Sequence, residues 1–355
     1  MSKIQYDENM IVPSSLNLPD VRFYNLDGEP FKVYGIFRDG DRYYRLPRSV
    51  AETVSPGVNT MCETTAGARI RFMTDSPYVA VAVEYGFCET SAIITSLNMG
   101  GFDLYLDNKF VNSFRPQFEL AGEPLYTYLN IPKRLYGEED DGSEKRKMRL
   151  VTINMPSYSS VKKMHVGIKE GSEISHAPDY KHEKPVVFYG SSITNGAAAS
   201  RPGLTYEARI SRMLDTNFVN LGFGGLCKGE PEMARYIADL DMSVFVLDYD
   251  HNAKTVEHLL ETHEPFFKTV REKNPDLPII LISMPEYQVD NAERFAVIKR
   301  TYDNAVASGD KNVYLICGKE FFGYDLEFTV DGVHPNDEGF LKMAERIAKE
   351  LAPLL

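Results

Sequence analysis

Two short motifs in this 355-residue chain contain the residue types that nucleophilic catalysis requires. The first is Gly190-Ser191-Ser192, and the second places Asp331 three positions before His334. A serine hydroxyl becomes an effective nucleophile when a neighbouring base takes its proton. An imidazole can be that base, and a carboxylate can orient it and stabilise its charged form. Each motif alone is weak, because a serine after a strand is more often a helix cap and an Asp/His loop pair more often belongs to a helix start.

Two further segments could stabilise a developing negative charge. Asn220–Gly225 contains three glycines, which let backbone N–H groups approach a ligand closely, although a plain tight turn has the same composition. Asp248–Ala253 contains Asn252, whose side-chain amide can donate to an oxyanion. Asp250 and His251 in the same segment could line a site or hold a cation. A reshaped loop in which these groups pair with each other or with water is favoured over a metal site.

Strand and helix patterns alternate around these segments. Apolar runs typical of buried parallel strands cover 186–189, 218–221, 244–247, 279–282 and 313–316. Helical periodicity covers 205–214, 231–240, 255–273, 291–307 and 336–351. This alternation predicts a parallel five-stranded sheet with helices on both faces, a flavodoxin-like three-layer α/β/α sandwich. Such sheets bind ligands at the carboxyl edge, where Ser192 would stand.

The N-terminal half has a different pattern. After an irregular stretch to about residue 30, short β-type runs separated by turn signals predict an antiparallel β-sandwich of jelly-roll type. The charged segment 137–147 reads as a hairpin tip. Residues 171–185 are polar and contain proline, so we place a domain boundary there, giving domains at 1–178 and 179–355. This linker favours two separate folding units.

The four motifs, in this order and spacing, resemble the SGNH (GDSL-type) esterase superfamily over residues 185 to 355. The resemblance implies that Ser192 is the nucleophile, that His334 is the general base and then the general acid, and that Asp331 orients His334. It further implies an oxyanion hole formed by the Ser192 N–H, the Gly225 N–H and the Asn252 side chain.

The sequence departs from the superfamily pattern at two motifs. The family's aspartate before the nucleophile is Ser191 here, and its Gly-x-Asn-Asp block reads Asp250-His251-Asn252-Ala253. The second departure bears directly on the role of Asn252. Ser191, Asp250 and His251 are therefore candidates for lining the site rather than for catalysis.

Gly101–Tyr105 is similar to the Gly-x-Asp-Leu-Tyr signature of a β-sandwich domain that precedes the hydrolase in a bacterial SGNH subfamily. Arg201–Gly203 also fits that subfamily. For Asp103 and Tyr105, a turn and a cross-strand pair are favoured over a role in binding.

Composition restricts the classes of partner. The formal charge of −12 disfavours nucleic acid and anionic membrane surfaces. Four widely spaced cysteines without a Cys-x-x-Cys pair disfavour a zinc site. The N-terminus lacks an apolar signal region and no run of 18 apolar residues occurs, so we expect a soluble cytoplasmic chain.

These observations favour a serine esterase that hydrolyses short acyl esters, acetyl above all, on carbohydrates through an acyl-enzyme. We expect no cofactor, no metal and a small acylated saccharide as partner, and leave self-association into a homo-oligomer open. A lipase or thioesterase of the same superfamily is the alternative within enzymes. An inactive carbohydrate-binding protein is the alternative outside them, which the altered third motif keeps open.

Overall fold

The computed structural model describes residues 16, 18–116, 125–133, 146–285 and 292–355. Most of the predicted hairpin tip at 137–147 and the first residue of the predicted helix at 291–307 lie outside the described residues.

Two antiparallel sheets form the N-terminal half. The first has the order β1-β11-β6-β9, and the second has the order β12-β5-β10-β7-β8, with β2 also paired to β5 and a separate hairpin of β3 and β4. The predicted β-sandwich is therefore confirmed. The strands are β1 (Val21–Asn25), β2 (Lys32–Tyr34), β3 (Phe37–Asp39), β4 (Arg42–Tyr44), β5 (Arg69–Thr74), β6 (Tyr78–Cys88), β7 (Phe102–Leu106), β8 (Lys109–Phe114), β9 (Leu125–Asn130), β10 (Arg149–Asn154), β11 (Ser159–Lys169) and β12 (Ile174–His176).

The sequence reading missed at least five elements in this half, among them β12, which lies in the segment predicted to be a linker. Strand β1 lies in the stretch predicted to be irregular, and three short helices interrupt the strands: α1 (Arg48–Val54), α2 (Pro56–Met61) and α3 (Ser96–Gly100). Each helix is seven residues or shorter, which is too short for a helical period to become visible in the sequence. Tertiary packing stabilises helices of this length.

The C-terminal half contains a parallel sheet of the order β14-β13-β15-β16-β17, as the alternating pattern predicts. Its strands are β13 (His182–Gly190), β14 (Thr216–Gly222), β15 (Val244–Asp248), β16 (Ile279–Ile282) and β17 (Val313–Ile316). Its helices are α4 (Ser192–Asn195), α5 (Tyr206–Leu214), α6 (Pro231–Ala238), α7 (Val256–Lys273), α8 (Ala292–Ala307), α9 (Lys319–Phe322) and α10 (Asp337–Leu351).

The register of this sheet aligns the ends of the three strands that lead into the motifs. Gly190, the last residue of β13, is paired with Gly222 on one side and with Asp248 on the other. The three segments that follow these strands therefore leave the same carboxyl edge side by side. The predicted boundary between residues 178 and 179 falls between β12 and β13 and stays a prediction.

Among the described residues, one of three apolar clusters contains side chains from both halves. Leu46, Val58 and Tyr158 from the N-terminal half are buried in the same cluster as Leu221 and Leu247 from the parallel sheet. The sandwich also has an apolar cluster of its own, which includes Ile70 and Val81. The expectation of two separate folding units stays a prediction.

Polar contacts also connect the halves. Asp103 accepts a hydrogen bond from its cross-strand neighbour Asn154, which agrees with the predicted cross-strand role. It also forms an ion pair with Arg201 and accepts from the N–H of Gly203, both beyond β13, and Arg201 donates to the hydroxyl of Tyr105. The Gly-x-Asp-Leu-Tyr segment therefore joins the sandwich to the C-terminal half, a role that the turn and cross-strand interpretation missed.

Candidate active site

Ser191 and Ser192 begin the short helix that follows β13. The Ser191 hydroxyl accepts a hydrogen bond from the N–H of Ile193 at 3.1 Å, which makes Ser191 the helix N-cap. Ser191 is only 1% exposed, so it does not line the site as the sequence had suggested. The Oγ atom of Ser192 lies 2.9 Å from Nε2 of His334.

His334 and Asp331 share one tight turn before α10. The Nδ1 atom of His334 lies 2.9 Å from Oδ2 of Asp331, while Oδ1 accepts from the backbone N–H groups of Val333 and His334. Gly332, between them, has φ of +81°, which glycine adopts without strain. Asn336 caps α10 by accepting from two backbone N–H groups and so anchors the turn.

The surroundings keep Asp331 ionised. Partial burial works to raise its pKa, but the hydrogen bonds from His334 and Val333 outweigh burial and hold the pKa below the usual range. An ionised carboxylate beside Nδ1 favours the tautomer with its proton on Nδ1, which leaves Nε2 free to accept the proton of Ser192.

The proposed oxyanion donors Gly225 and Asn252 lie in the two segments that leave the sheet edge beside the segment of Ser192. Gly225 has φ of +69°, a conformation that favours glycine. Within the described ranges, neither the N–H of Ser192 nor that of Gly225 donates to another protein group. The side-chain amide of Asn252 donates to the carbonyl oxygen of Phe223 at 3.2 Å, which joins the third motif to the second and leaves one amide hydrogen for a ligand.

Asp250 and His251 differ in their relation to the site. Asp250 is buried, forms an ion pair with Arg294 and accepts from the N–H of Met284, so its carboxylate fixes a neighbouring loop instead of lining the site. The pKa of His251 is lowered to about 3, because burial disfavours the cation and the nearby His334 and Arg294 add repulsion. His251 is therefore a neutral imidazole beside the catalytic pair, which is consistent with a site-lining role.

Two residues near the nucleophile were given no role by the sequence: Tyr158 was not singled out, and Asp248 appeared only as the first residue of the third motif. Tyr158, which directly precedes β11 in the N-terminal half, is buried with its hydroxyl 3.5 Å from the carbonyl oxygen of Ser192. Nothing in the local pattern of Tyr158 points to this contact. Asp248 ends β15, and its buried carboxylate accepts from Thr194 and Tyr206, while burial raises its pKa to about 7. Its position at the carboxyl end of a predicted strand was a signal that could have been used.

Two absences concern the described parts of the chain. There, no group of three or more His, Cys, Asp or Glu side chains is arranged to hold a metal ion. No helix in those ranges combines the length and apolar character that a membrane crossing needs.

Two protein families match the two halves of the chain. Residues 183–352 match the GDSL-like lipase/acylhydrolase family, and residues 21–174 match the GxDLY family, described as the N-terminus of SGNH-hydrolase-type esterases. No curated protein sequence matches the chain significantly.

Solved structures share the fold over nearly the whole length. A protein described as a GDSL-like lipase, from Bacteroides ovatus, is 27% identical with a TM-score of 0.82, covering 94% of this chain and 98% of its own. A salicylyl-acyltransferase from a tetracycline biosynthetic pathway is 20% identical with a TM-score of 0.77, covering 95% and 98%. A family two carbohydrate esterase from Clostridium thermocellum, solved with cellohexaose, is 14% identical with a TM-score of 0.61, covering 82% and 93%. The chain therefore belongs to the GDSL-like lipase/acylhydrolase family and carries the GxDLY N-terminal domain of SGNH-type esterases.

Proposed function

We propose that this protein is a serine esterase that removes short acyl groups, acetyl above all, from carbohydrates. The observation that carries the proposal is the chain of two 2.9 Å contacts from Ser192 Oγ through His334 to Asp331. Such a chain supports acyl transfer to serine, because each neighbour orients and activates the next.

The reaction follows from this geometry. Ser192 Oγ attacks the ester carbonyl carbon while its proton passes to Nε2 of His334. The tetrahedral oxyanion is held by the N–H groups of Ser192 and Gly225 and by the Asn252 amide. The intermediate collapses, and the leaving alcohol takes the proton from His334. Water then attacks the acyl-enzyme with His334 as base, which releases the carboxylic acid and restores Ser192.

The carbohydrate and acetyl parts of the proposal rest on the resemblance to the subfamily and on the acidic character of the chain. A structural neighbour with bound cellohexaose lends support at the level of the fold. The protein would act on an acylated saccharide without a metal or an organic cofactor, and we propose that it works in the cytoplasm.

A second candidate has its own observation. Tyr324, Leu326 and Val330, in the segment that leads to Asp331, are exposed apolar side chains. Apolar surface next to a catalytic turn favours substrates with a longer acyl chain, as in a lipase or thioesterase.

Chain-length preference separates the two candidates. We expect kcat/KM on p-nitrophenyl esters to be highest for acetate and to fall towards octanoate, and we expect the enzyme to release acetate from acetylated oligosaccharides. A preference for octanoate would favour the lipase reading. Failure of a fluorophosphonate to add to Ser192 would favour an inactive binding protein, and mass spectrometry of the intact protein detects that adduct.

A further inference from the structure

Arg45, which directly follows β4 in the N-terminal half, inserts its guanidinium into the C-terminal half. The residue is only 2% exposed. Its Nη1 donates to the carbonyl oxygen of Gly222 at 2.9 Å and to that of Asn220 at 3.2 Å. Its Nη2 donates to the side-chain oxygen of Asn195 at 3.1 Å and to the Thr64 hydroxyl at 2.8 Å.

The two C-terminal elements that Arg45 contacts lead to two of the proposed catalytic groups, Ser192 and Gly225. Gly222 ends β14 and leads directly into the segment that contains Gly225. Asn195 ends the helix that begins at Ser192. The guanidinium also lies over the ring of Phe223, with its carbon 4.4 Å from the ring centroid. Phe223 is the residue whose carbonyl oxygen accepts from Asn252.

We propose that Arg45 is a positioning residue for the esterase reaction, through which the N-terminal half sets the spacing of the oxyanion donors. One guanidinium contacts both the end of β14 and the helix of Ser192, and in this proposal it fixes the N–H of Gly225 relative to that of Ser192. This inference rests on the esterase function proposed above. It also assigns the N-terminal half a part in the chemistry.

The charge and shape of arginine suit this task. Burial lowers the pKa of Arg45 to about 10, so the group keeps its charge at neutral pH. In the described parts of the chain its acceptors are carbonyl, amide and hydroxyl oxygens, and no carboxylate forms an ion pair with it. Lysine carries the same charge but lacks the planar fork, so it cannot hold two elements at a fixed spacing.

Arg69 provides a matched control. It also comes from the sandwich, is 2% exposed, and contacts the same strand β14. Its contacts are with the Phe218 carbonyl oxygen at 3.1 Å and with the Asn217 side chain, at the start of the strand and away from Gly225. Its guanidinium carbon lies 3.9 Å from the ring centroid of Phe218. If Arg45 only holds the two halves together, its lysine variant and that of Arg69 should lose kcat equally. If Arg45 positions the catalytic groups, its own variant should lose much more kcat.

The experiment compares Arg45→Lys, Arg69→Lys and the wild type on p-nitrophenyl acetate, with thermal unfolding measured for each. We expect Arg45→Lys to lower kcat by about 10- to 100-fold with little change in KM, because small misplacements of catalytic groups have costs of this order. We expect Arg69→Lys to lower Tm and to leave kcat within about twofold of wild type, since its contacts lie away from the catalytic groups.

A transition-state analogue provides the second measurement. Ser192 Oγ adds to the carbonyl carbon of a trifluoromethyl ketone, and the serine proton passes to His334. The former carbonyl oxygen of the ketone then carries the negative charge and occupies the oxyanion hole. We expect its affinity for Arg45→Lys to fall by the same factor as kcat. Unchanged kcat and affinity in this variant, or equal losses of kcat in both lysine variants, would overturn the inference.

Two further outcomes are kept distinct. If Arg45→Lys does not fold, Thr64→Val is measured instead, because it removes one of the acceptors of Nη2. A lower kcat at unchanged KM supports the inference, and full kcat contradicts it. If the wild-type protein neither hydrolyses any ester nor reacts with a fluorophosphonate, the proposed function itself is wrong, and Arg45 has no reaction to serve.

Discussion

The hydroxyl groups of Ser191 and Ser192 belong to adjacent residues and have different partners. The first accepts from the N–H of Ile193 as a helix cap, and the second lies 2.9 Å from His334. The structure thereby separates a structural serine from the one that can lose its proton to a base.

Substituting each serine tests this separation. We expect Ser192→Ala to lose nearly all esterase activity and the fluorophosphonate adduct, because the substitution removes the hydroxyl that contacts Nε2 of His334. We expect Ser191→Ala to keep most of its kcat and to lose about 1 kcal/mol of unfolding free energy with the cap. Hydrolysis of p-nitrophenyl acetate and urea unfolding measure the two effects, and the opposite pattern would move the nucleophile by one residue.

Asn252→Ala tests the altered third motif. If the free amide hydrogen of Asn252 stabilises the oxyanion, its removal lowers kcat by about 10²–10³. KM should change little, since the donor acts on charge that develops in the transition state. Thermal unfolding of the variant controls for the lost contact with Phe223. A folded variant with full kcat on p-nitrophenyl acetate would exclude Asn252 from the oxyanion hole.

Asp103→Asn tests the ion pair between the two halves. The Asp103 side chain is 0% exposed. Replacing its carboxylate by an amide leaves the half-buried charge of Arg201 without a counter-ion. We expect the free energy of unfolding to fall by about 3 kcal/mol. The matched control is Asp107→Asn, next along the same hairpin, whose ion pair with Arg149 is more exposed and contributes about 0–1 kcal/mol. Urea unfolding measures both, and similar losses would mean that Asp103 does not join the halves.

His263 predicts a pH dependence of stability. It is 1% exposed, contacts Thr301 through Nδ1, and burial lowers its pKa to about 3. Because the unfolded histidine titrates near 6.5, the unfolded chain binds more protons than the folded protein between about pH 3 and 6.5. Stability therefore falls as the pH drops below about 6.5, by up to ~1.4 kcal/mol per unit from this group.

His263→Gln keeps a polar partner for Thr301 and removes the titration. We expect the unfolding free energy of the variant, measured in urea at pH 5, 6 and 7.5, to depend less steeply on pH than that of the wild type. His251 contributes to the pH dependence that remains in the variant, because its pKa is also lowered in the folded protein. Parallel pH profiles for the two proteins would count against the assignment.

The sequence was most informative where the signals are local. Helices α5, α7 and α10 begin one residue after a capping side chain, Thr205, Thr255 and Asn336, and the predicted helices begin at those same caps. The parallel sheet followed from apolar runs with a helix between each pair of strands. The catalytic residues were assigned by resemblance, and the structure brings their side chains together.

The sequence was least informative where contacts join distant residues. Arg45 stands among Tyr43, Tyr44 and Leu46 and reads as an outward-facing position of a strand, yet it is buried because β14 lies against it. Its contact with Gly222 spans 177 positions of the chain. No pattern within a window of 10 to 20 residues reports a contact of that kind.

The common apolar core bears on how such proteins can be recombined. A carbohydrate-binding module on a flexible linker can be exchanged for another without harm to the enzyme. Here the interior face of the C-terminal half is completed by Leu46, Val58 and Tyr158 from the preceding sequence. A chimera that replaces the sandwich must supply these side chains and an equivalent of Arg45, so the two halves are best transplanted as one inherited unit.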